Sequence, residues 1–560
     1  MPDLQDIDVL VIEAHPAMRA QLRSMLNGIR VTRVTFVASA LSAVEKLQTR
    51  QFDLILCEYA LGPGQDGQHL LEDLRTRRII PLDTVFIMIS GERNYERVIG
   101  AAELAPNDYI LKPLTPGTLH ERIERAMHKR DTLQPVYRLI ESGAYREAIE
   151  YCERGQDELP RYRTDFMRLR AELLGERGLH AKAEDAYREI LRTRHAPWAR
   201  LGLAKMLFAR KQYEDAEMIL ESLVAESRDY LDAYDWLAKT REAAGRLREA
   251  QDILLTAVER SPHRLGRLRH LGEVAQASGD HATAESAFSE VVRKGKQSAF
   301  RDPEDHVRLI KAQLEQGHTA DAAESLRDLE QSMSDQPAGA VCSAYAHALL
   351  CAASGDRKGA REAMLLAARR RSLEADLSLP LQREMAETCL DNLLEDEGSE
   401  LITDLLRRAT DATMVDSVRE SLRARGREDL SIRIEERLHN EVKAYIASGA
   451  AKAHAGDYDG AVREMMQAVR KMPGNPHVTF NAALALLRHI EENGWNERFA
   501  TRARMLIERY RMLDPLNSRL DAINGLLQSL MQRYGIDPTA IAATAASRPA
   551  SRQILDGLPE

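Results

Sequence analysis

Aromatic side chains are scarce in this chain: they make up 5% of 560 residues, with three tryptophans. A core built mainly on ring packing is therefore excluded, and smaller aliphatic side chains must do the packing. Cysteine is scarcer still. Cys57, Cys152, Cys342, Cys351 and Cys389 are an odd number with no CxxC pair, so neither a disulfide framework nor a zinc ligand set is indicated and a reducing compartment is expected. Excess positive charge is missing as well, with 78 Lys+Arg against 87 Asp+Glu, a formal net charge of −9 and a pI near 6.0. No overall field then draws the chain to a nucleic-acid backbone or an anionic lipid surface. Long apolar runs do not occur either. Val85 to Ile89 is typical of the longest, far short of the roughly 20 residues a membrane helix needs, and the acidic start Met1 to Asp8 lacks the basic-then-apolar order of a signal peptide. These absences lead to the expectation of a cytoplasmic protein with no DNA partner and no membrane insertion.

What is present follows two different patterns. At 63.0 kDa, 44% hydrophobic and 29% charged, the chain is too long for one core at roughly 150 residues per domain. From residue 7 to about 130, short apolar runs alternate with helical patterns. Val9-Leu10-Val11-Ile12, Arg33 to Val37, Leu54-Ile55-Leu56, Val85 to Ile89 and Tyr109-Ile110-Leu111 read as buried strands. Met18 to Leu26, Ala40 to Leu47, Gln68 to Arg75, Tyr95 to Leu104 and Thr118 to Met127 read as helices. That alternation predicts an α/β doubly wound, five-stranded parallel sheet, whose ligands bind at the carboxyl ends of its strands.

After Arg130 the strand signal stops and an all-α pattern with a fixed period begins. A Gly, a bulky residue two on and an Ala five on recur at Gly143/Tyr145/Ala148, Gly178/Ala183, Lys211/Tyr213/Ala216, Gly245/Leu247/Ala250, Gly279/Ala284, Gly317/Ala322, Gly355/Ala360 and Gly456/Tyr458/Ala461. Successive units from Gly143 to Gly355 are 33 to 38 residues apart, and Pro160, Pro262 and Pro473 each fall 17 residues after a unit's Gly. In such a unit Gly makes the turn between antiparallel helices, and the small Ala lets the second helix sit close on the first. The frame resembles the tetratricopeptide repeat and implies a superhelical solenoid. It covers 131–371, is lost over an irregular helical segment at 372–440, and returns in helices over 441–535. Within these stretches helical periodicity runs through Leu377 to Leu393, Leu401 to Leu422, His477 to Ile490 and Phe499 to Tyr534. The irregular segment reads either as divergent repeats or as an insert that closes a groove or forms a dimer surface. The Ala/Thr/Ser/Pro-rich 536–560 reads as a loose tail.

The strand ends of the first domain carry a specific set of residues. Val9 to Ile12 leads into Glu13-Ala14-His15-Pro16, Leu54 to Cys57 into Glu58, Ile89 into Ser90, and Leu111 into Lys112-Pro113. This domain, about 120 of 560 residues, resembles the receiver domain of bacterial response regulators, close to the chemotaxis-regulator type. The resemblance implies that Glu58 stands at the phosphoacceptor position and that Glu13 and Ala14 stand where the family has an acidic pair. It further implies that Ser90 is the hydroxyl after strand four, Lys112 the phosphoryl-pairing lysine followed by a cis peptide, and Tyr109 the switch-face aromatic.

The departures from the family are chemical. Glu58 is one methylene longer than Asp, and small displacements are costly in such sites. Ala14 removes a carboxylate that would help hold Mg²⁺, leaving Glu13 and Glu58 as the remaining candidates. The loop from Glu58 to Asp66 is one residue longer than the common spacing. The site residues Glu13, Ala14, Glu58, Ser90 and Lys112 thus read as a degenerate receiver pocket with no catalytic residue, no metal beyond weak Mg²⁺, and a standing Lys112–Glu58 ion pair.

Other features read more simply. His15 and His69 border the pocket and read as solvated residues, and Cys57 reads as strand packing. Arg369-Arg370-Arg371 and Arg75-Thr76-Arg77-Arg78 read as helix-end charge rather than phosphate sites. Tyr137, Tyr162, Tyr234, Trp198 and Trp236 read mostly as repeat core. No helix-turn-helix, phosphate loop or catalytic triad spacing stands out. The expected function is a non-enzymatic signalling adaptor of the two-component type, binding protein partners through the repeat groove and the receiver face, with a homodimer left open. The alternatives are a phosphorylation-dependent response regulator with repeat output and a metal-dependent hydrolase.

Overall fold

The computed structural model describes residues 4–62, 66–91, 106–262, 264–296, 300–371, 375–409, 412–514, 517 and 519–536. The strands are β1 (Val9–Ile12), β2 (Val34–Val37), β3 (Leu54–Glu58), β4 (Val85–Ser90) and β5 (Asp108–Leu111). All pair in parallel, in the order β2-β1-β3-β4-β5. Every residue of β1, β3 and β4 is buried, because helices cover both faces of the sheet. This explains continuous apolar runs in place of alternation.

One face packs Val9, Val11, Leu54, Leu56, Ile87 and Ile89 against Leu22, Leu26, Leu119 and Ile123. The other packs Leu10, Ile12, Ile55 and Met88 against Val44, Leu47, Leu70 and Leu74. The covering helices are Pro16–Gly28, Ala40–Thr49, Gly67–Thr76 and Pro116–Glu141. The stretch Tyr95 to Leu104, expected to be helical, lies outside the described residues. Strand order reverses at β1 and β3, so the carboxyl ends of these neighbours open the crevice where such sheets bind ligands.

The helix Pro116–Glu141 runs through the expected domain boundary at 130 with Pro135 inside it, so the last receiver helix continues into the repeats. From there the chain is helical hairpins. The seven glycines of the frame all turn the chain at φ between 72° and 83°, and Lys211 does the same at 62°. In the segment where no frame was legible, Leu393 (φ 60°) and Gly426 (φ 67°) occupy equivalent turns. Backbone bonds are alike at both kinds of turn: Leu179 and Gly178 donate to Leu174 and Gly175, Leu394 and Leu393 to Cys389 and Leu390, and Arg427 and Gly426 to Leu422 and Arg423. This is the double closure of a left-handed helix terminus. The irregular segment is therefore two more hairpins, Leu379–Asp391 with Glu395–Arg408 and Ala412–Ala424 with Glu428–His454.

Two long helical readings are corrected. Leu401 to Leu422 is broken between the helices Glu395–Arg408 and Ala412–Ala424. Phe499 to Tyr534 divides into Glu497–Leu513 and Arg519–Arg533, where Pro515 disfavours helical geometry at Asp514.

Neighbouring helices approach through small residues, between hairpins as well as within them. A Cβ on Gly202 would fall 2.3 Å from the Tyr187 ring, and one on Gly272 would fall 2.6 Å from Phe288, so each glycine lets a ring cross its helix. The chain packs into two compact units. Of the described residues, the first holds those up to Ile140 and Tyr145–Asp305, and the second holds Glu141–Ala144 and those from His306 to 536. Among the described residues no helix is long and apolar enough to cross a membrane.

Candidate functional site

The expected pocket residues converge at the carboxyl end of the sheet. Glu13 directly follows β1, Glu58 ends β3 and Ser90 ends β4, and all three are buried, at 1%, 6% and 2% exposure. Lys112 follows β5, its backbone N–H donating to the Ser90 carbonyl at 2.8 Å. The Lys112–Pro113 peptide is cis. The Lys112 ammonium donates to Glu58 Oε2 and lies 3.5 Å from Glu13 Oε2. Glu58 Oε1 faces the Ala60 N–H at 3.4 Å, and Glu13 Oε1 accepts the His15 N–H at 2.8 Å. Arg19 Nη1 ties down the loop after β1 by donating to the carbonyls of Glu13 and Ala14, both at 2.7 Å.

The electrostatics follow from burial. Loss of water raises the Glu58 carboxyl above its ordinary range and Glu13 adds repulsion, while the hydrogen bond and charge of Lys112 oppose both. Burial likewise pushes the Cys57 thiol up, with Glu58 the first of its neighbouring charges. Cys57 is strand packing, as expected, with its Sγ 3.2 Å from the Glu58 carbonyl.

The donor set does not fit Mg²⁺. A magnesium ion needs near-octahedral oxygen ligands, and Ala14 offers no side-chain oxygen. The two carboxylates already face an ammonium group, with backbone N–H groups on their remaining oxygens.

The floor of the pocket is joined to a helix. A Cβ on Gly67 would meet the Glu58 carbonyl oxygen and Met88 Sδ at 2.7 Å, so only glycine lets the helix Gly67–Thr76 start this close. Asp66 caps that helix by accepting the His69 N–H at 2.9 Å, and Tyr59 Oη donates to Asp66 Oδ2 at 2.8 Å. His69 is not the solvated residue expected. Its side chain is 14% exposed, and Nδ1 lies 2.8 Å from Asp66 Oδ1. Burial would lower the imidazole, but the adjacent Asp66 carboxylate outweighs it and leaves the group raised. His15 is exposed, and Tyr109 is half-buried beside the β4 residue Met88.

Members of both basic runs are engaged within the structure. Arg75 donates to the Pro81 carbonyl at 2.5 Å and the Thr84 carbonyl at 2.6 Å, Arg77 lies over the Phe300 ring, and Arg371 pairs with Asp404. Sequence reasoning missed a charge cluster in the first unit, where Glu72 of the helix Gly67–Thr76 meets Arg264 among Asp232, Asp235 and Arg267. No local pattern marks it, because its members are far apart in the chain.

Comparisons with known proteins match two stretches of the chain. Residues 9–124 match the response regulator receiver domain and residues 207–272 match the tetratricopeptide repeat. Chemotaxis protein CheY-3 of Vibrio cholerae is 26% identical over 125 residues, covering 22% of this chain and 95% of that protein. Chemotaxis protein CheY of Pseudomonas aeruginosa is 25% identical over 121 residues, covering 22% and 96%. Among solved structures, a CheY-like receiver domain protein from Methanospirillum hungatei covers 22% of this chain and 96% of its own at 22% identity, TM-score 0.20. A tetratricopeptide repeat protein from Parabacteroides merdae covers 48% and 98% at 12% identity, TM-score 0.35.

Proposed function

We propose that this chain, a receiver domain followed by tetratricopeptide repeats, is a signal-transduction adaptor whose receiver is held in one charge state without phosphoryl transfer. The observation that carries this reading is the Lys112 ammonium seated on the buried Glu58 carboxylate, with Glu13 beside it. In a phosphorylatable receiver the lysine would pair with an incoming phosphoryl oxygen. Here it is paired already, by a charge-assisted bond that needs no donor. Displacing it would strip two buried carboxylates of their cation, a cost no incoming group offsets without a metal. The pocket takes no functional Mg²⁺, because Ala14 supplies no ligand and Lys112 holds the place of positive charge.

On this reading the protein acts by binding and not by catalysis, in the cytoplasm, with no DNA partner. Stacked helical hairpins present an extended groove suited to a protein segment. The test is incubation of the full chain with acetyl phosphate and Mg²⁺, followed by intact mass measurement and a calorimetric Mg²⁺ titration. The expected result is no added mass and no binding heat. A phosphoryl group mapped to Glu58 would instead establish a phosphorylation-driven regulator, and tight Mg²⁺ binding would revive a metal hydrolase.

A further inference from the structure

Within the first compact unit the receiver meets the repeats through a specific charged contact. Arg264 Nε lies 3.1 Å from Glu72 Oε2, and its Nη1 lies 2.9 Å from both Asp232 Oδ1 and Asp235 Oδ2. Asp235 is also held by the buried Arg267 at 2.7 Å. Asp232 and Asp235 belong to the helix Leu231–Ala243, while Arg267 belongs to Leu265–Ser278 and Arg264 directly precedes it. These are the first helices of successive hairpins, the set that lines the groove of such an array. Just past the receiver helix, the Arg77 guanidinium lies 4.6 Å above the Phe300 ring, and Phe300 packs with the receiver residues Leu70, Leu74 and Ile80. The contact combines an ion pair with an apolar anchor.

The same helix begins at the pocket. Gly67 touches the Glu58 carbonyl, and Tyr59, next to Glu58, holds the capping Asp66. One end of the element therefore lies against the backbone at the end of β3, and the other end engages the repeats.

We infer that the helix Gly67–Thr76 is a built-in ligand of the repeat groove, held where an external protein partner presenting a helix with an acidic face would dock. The Arg264 guanidinium selects that partner, since it faces Glu72 as well as Asp232 and Asp235. Arg264 pairs with a third carboxylate beyond the two supplied by the repeats, and a helical carboxylate is its partner now. A partner of this chemistry competes with the receiver, so docking and release of the receiver set access to the groove. The inference rests on the proposed reading of the repeats as a protein-binding scaffold.

The experiment uses the full chain and, as probe, a fluorescent lactam-stapled helical peptide of residues 66–79 of this sequence. Wild type should bind it weakly, because its own helix fills the site. Glu72→Arg places like charge against Arg264, and should bind the probe at least tenfold more tightly while raising amide exchange in Leu265–Ser278. Arg77→Ala, which removes the contact over Phe300 together with a charge facing Asp73 and leaves Glu72 in place, should shift both readouts the same way and serves if Glu72→Arg disturbs the receiver fold. Equal probe affinity across wild type and both variants, or unchanged exchange in Leu265–Ser278, overturns the inference. Phosphorylation of Glu58 would defeat the earlier account of the pocket and leave this result standing, so the two failures are distinguishable.

Discussion

Replacing Lys112 with methionine tests the pocket's electrostatics most sharply, since it keeps much of the side-chain volume and removes the charge. Glu58 and Glu13 are then left as neighbouring carboxylates at 7% and 1% side-chain exposure. Removing one partner of a fully buried pair costs about 3–5 kcal/mol. Lys112 is 22% exposed, so solvent screening lowers the figure to about 2–3 kcal/mol. At 1.36 kcal/mol per decade this is roughly a 30- to 150-fold loss of amide-exchange protection for β3 and β4, where the slowest exchange is expected. Glu58→Gln added to Lys112→Met should restore most of it, because a neutral amide needs no counter-charge.

The sign of the pH dependence follows from the raised Glu58 carboxyl, which burial and Glu13 push further up once Lys112 is gone. A carboxyl raised in the native state contributes stability that is complete below its unfolded value of about 4.3 and is lost as pH rises through the folded value. The variant's deficit should therefore be smaller at pH 5 than at pH 8. An equal deficit at both, or no rescue by Glu58→Gln, would refute the reasoning.

Further predictions concern the repeats. Gly202→Ala should cost about 1–3 kcal/mol by overpacking against Tyr187, although alanine is the better helix former. In contrast, Gly525→Ala, exposed in the helix Arg519–Arg533 with open space around it, should gain about 0.5–1 kcal/mol; urea melts of the two variants should move in opposite directions. Leu393→Gly should stabilise its turn by about 0.5–1 kcal/mol, because the left-handed conformation at φ 60° costs leucine about 1–2 kcal/mol and glycine's lost freedom offsets part of that. Loss of stability on thermal melting would contradict the assigned turn.

Much of this fold was legible because the physics acts locally. A parallel strand buried on both faces must be an apolar run, so β1 was read at its observed bounds and the others to within two residues. The hairpin turns need a left-handed residue, which glycine supplies most cheaply, so a glycine frame marked most of the repeats. It failed at Leu393 because the same backbone is built there from a residue that carries no such signal, and the repeats around it looked irregular. At the pocket, the identities of Glu58 and Lys112 already implied the ion pair between them. His69 was misread because its burial comes from the helix it sits on and the Asp66 cap, which one-dimensional spacing does not encode. The meeting of Glu72 with Arg264 was not legible, since it depends on how the receiver packs against the repeats.

The central claim is that the receiver pocket is already in its working state. The most direct measurement is amide hydrogen exchange of the full chain, with and without acetyl phosphate and Mg²⁺, read over β1, β3, β4, β5 and the helix Gly67–Thr76. The account predicts superimposable exchange in the two conditions. Donor- and metal-dependent protection at the ends of β3 and β5, accompanied by a phosphoryl group on Glu58, would contradict it.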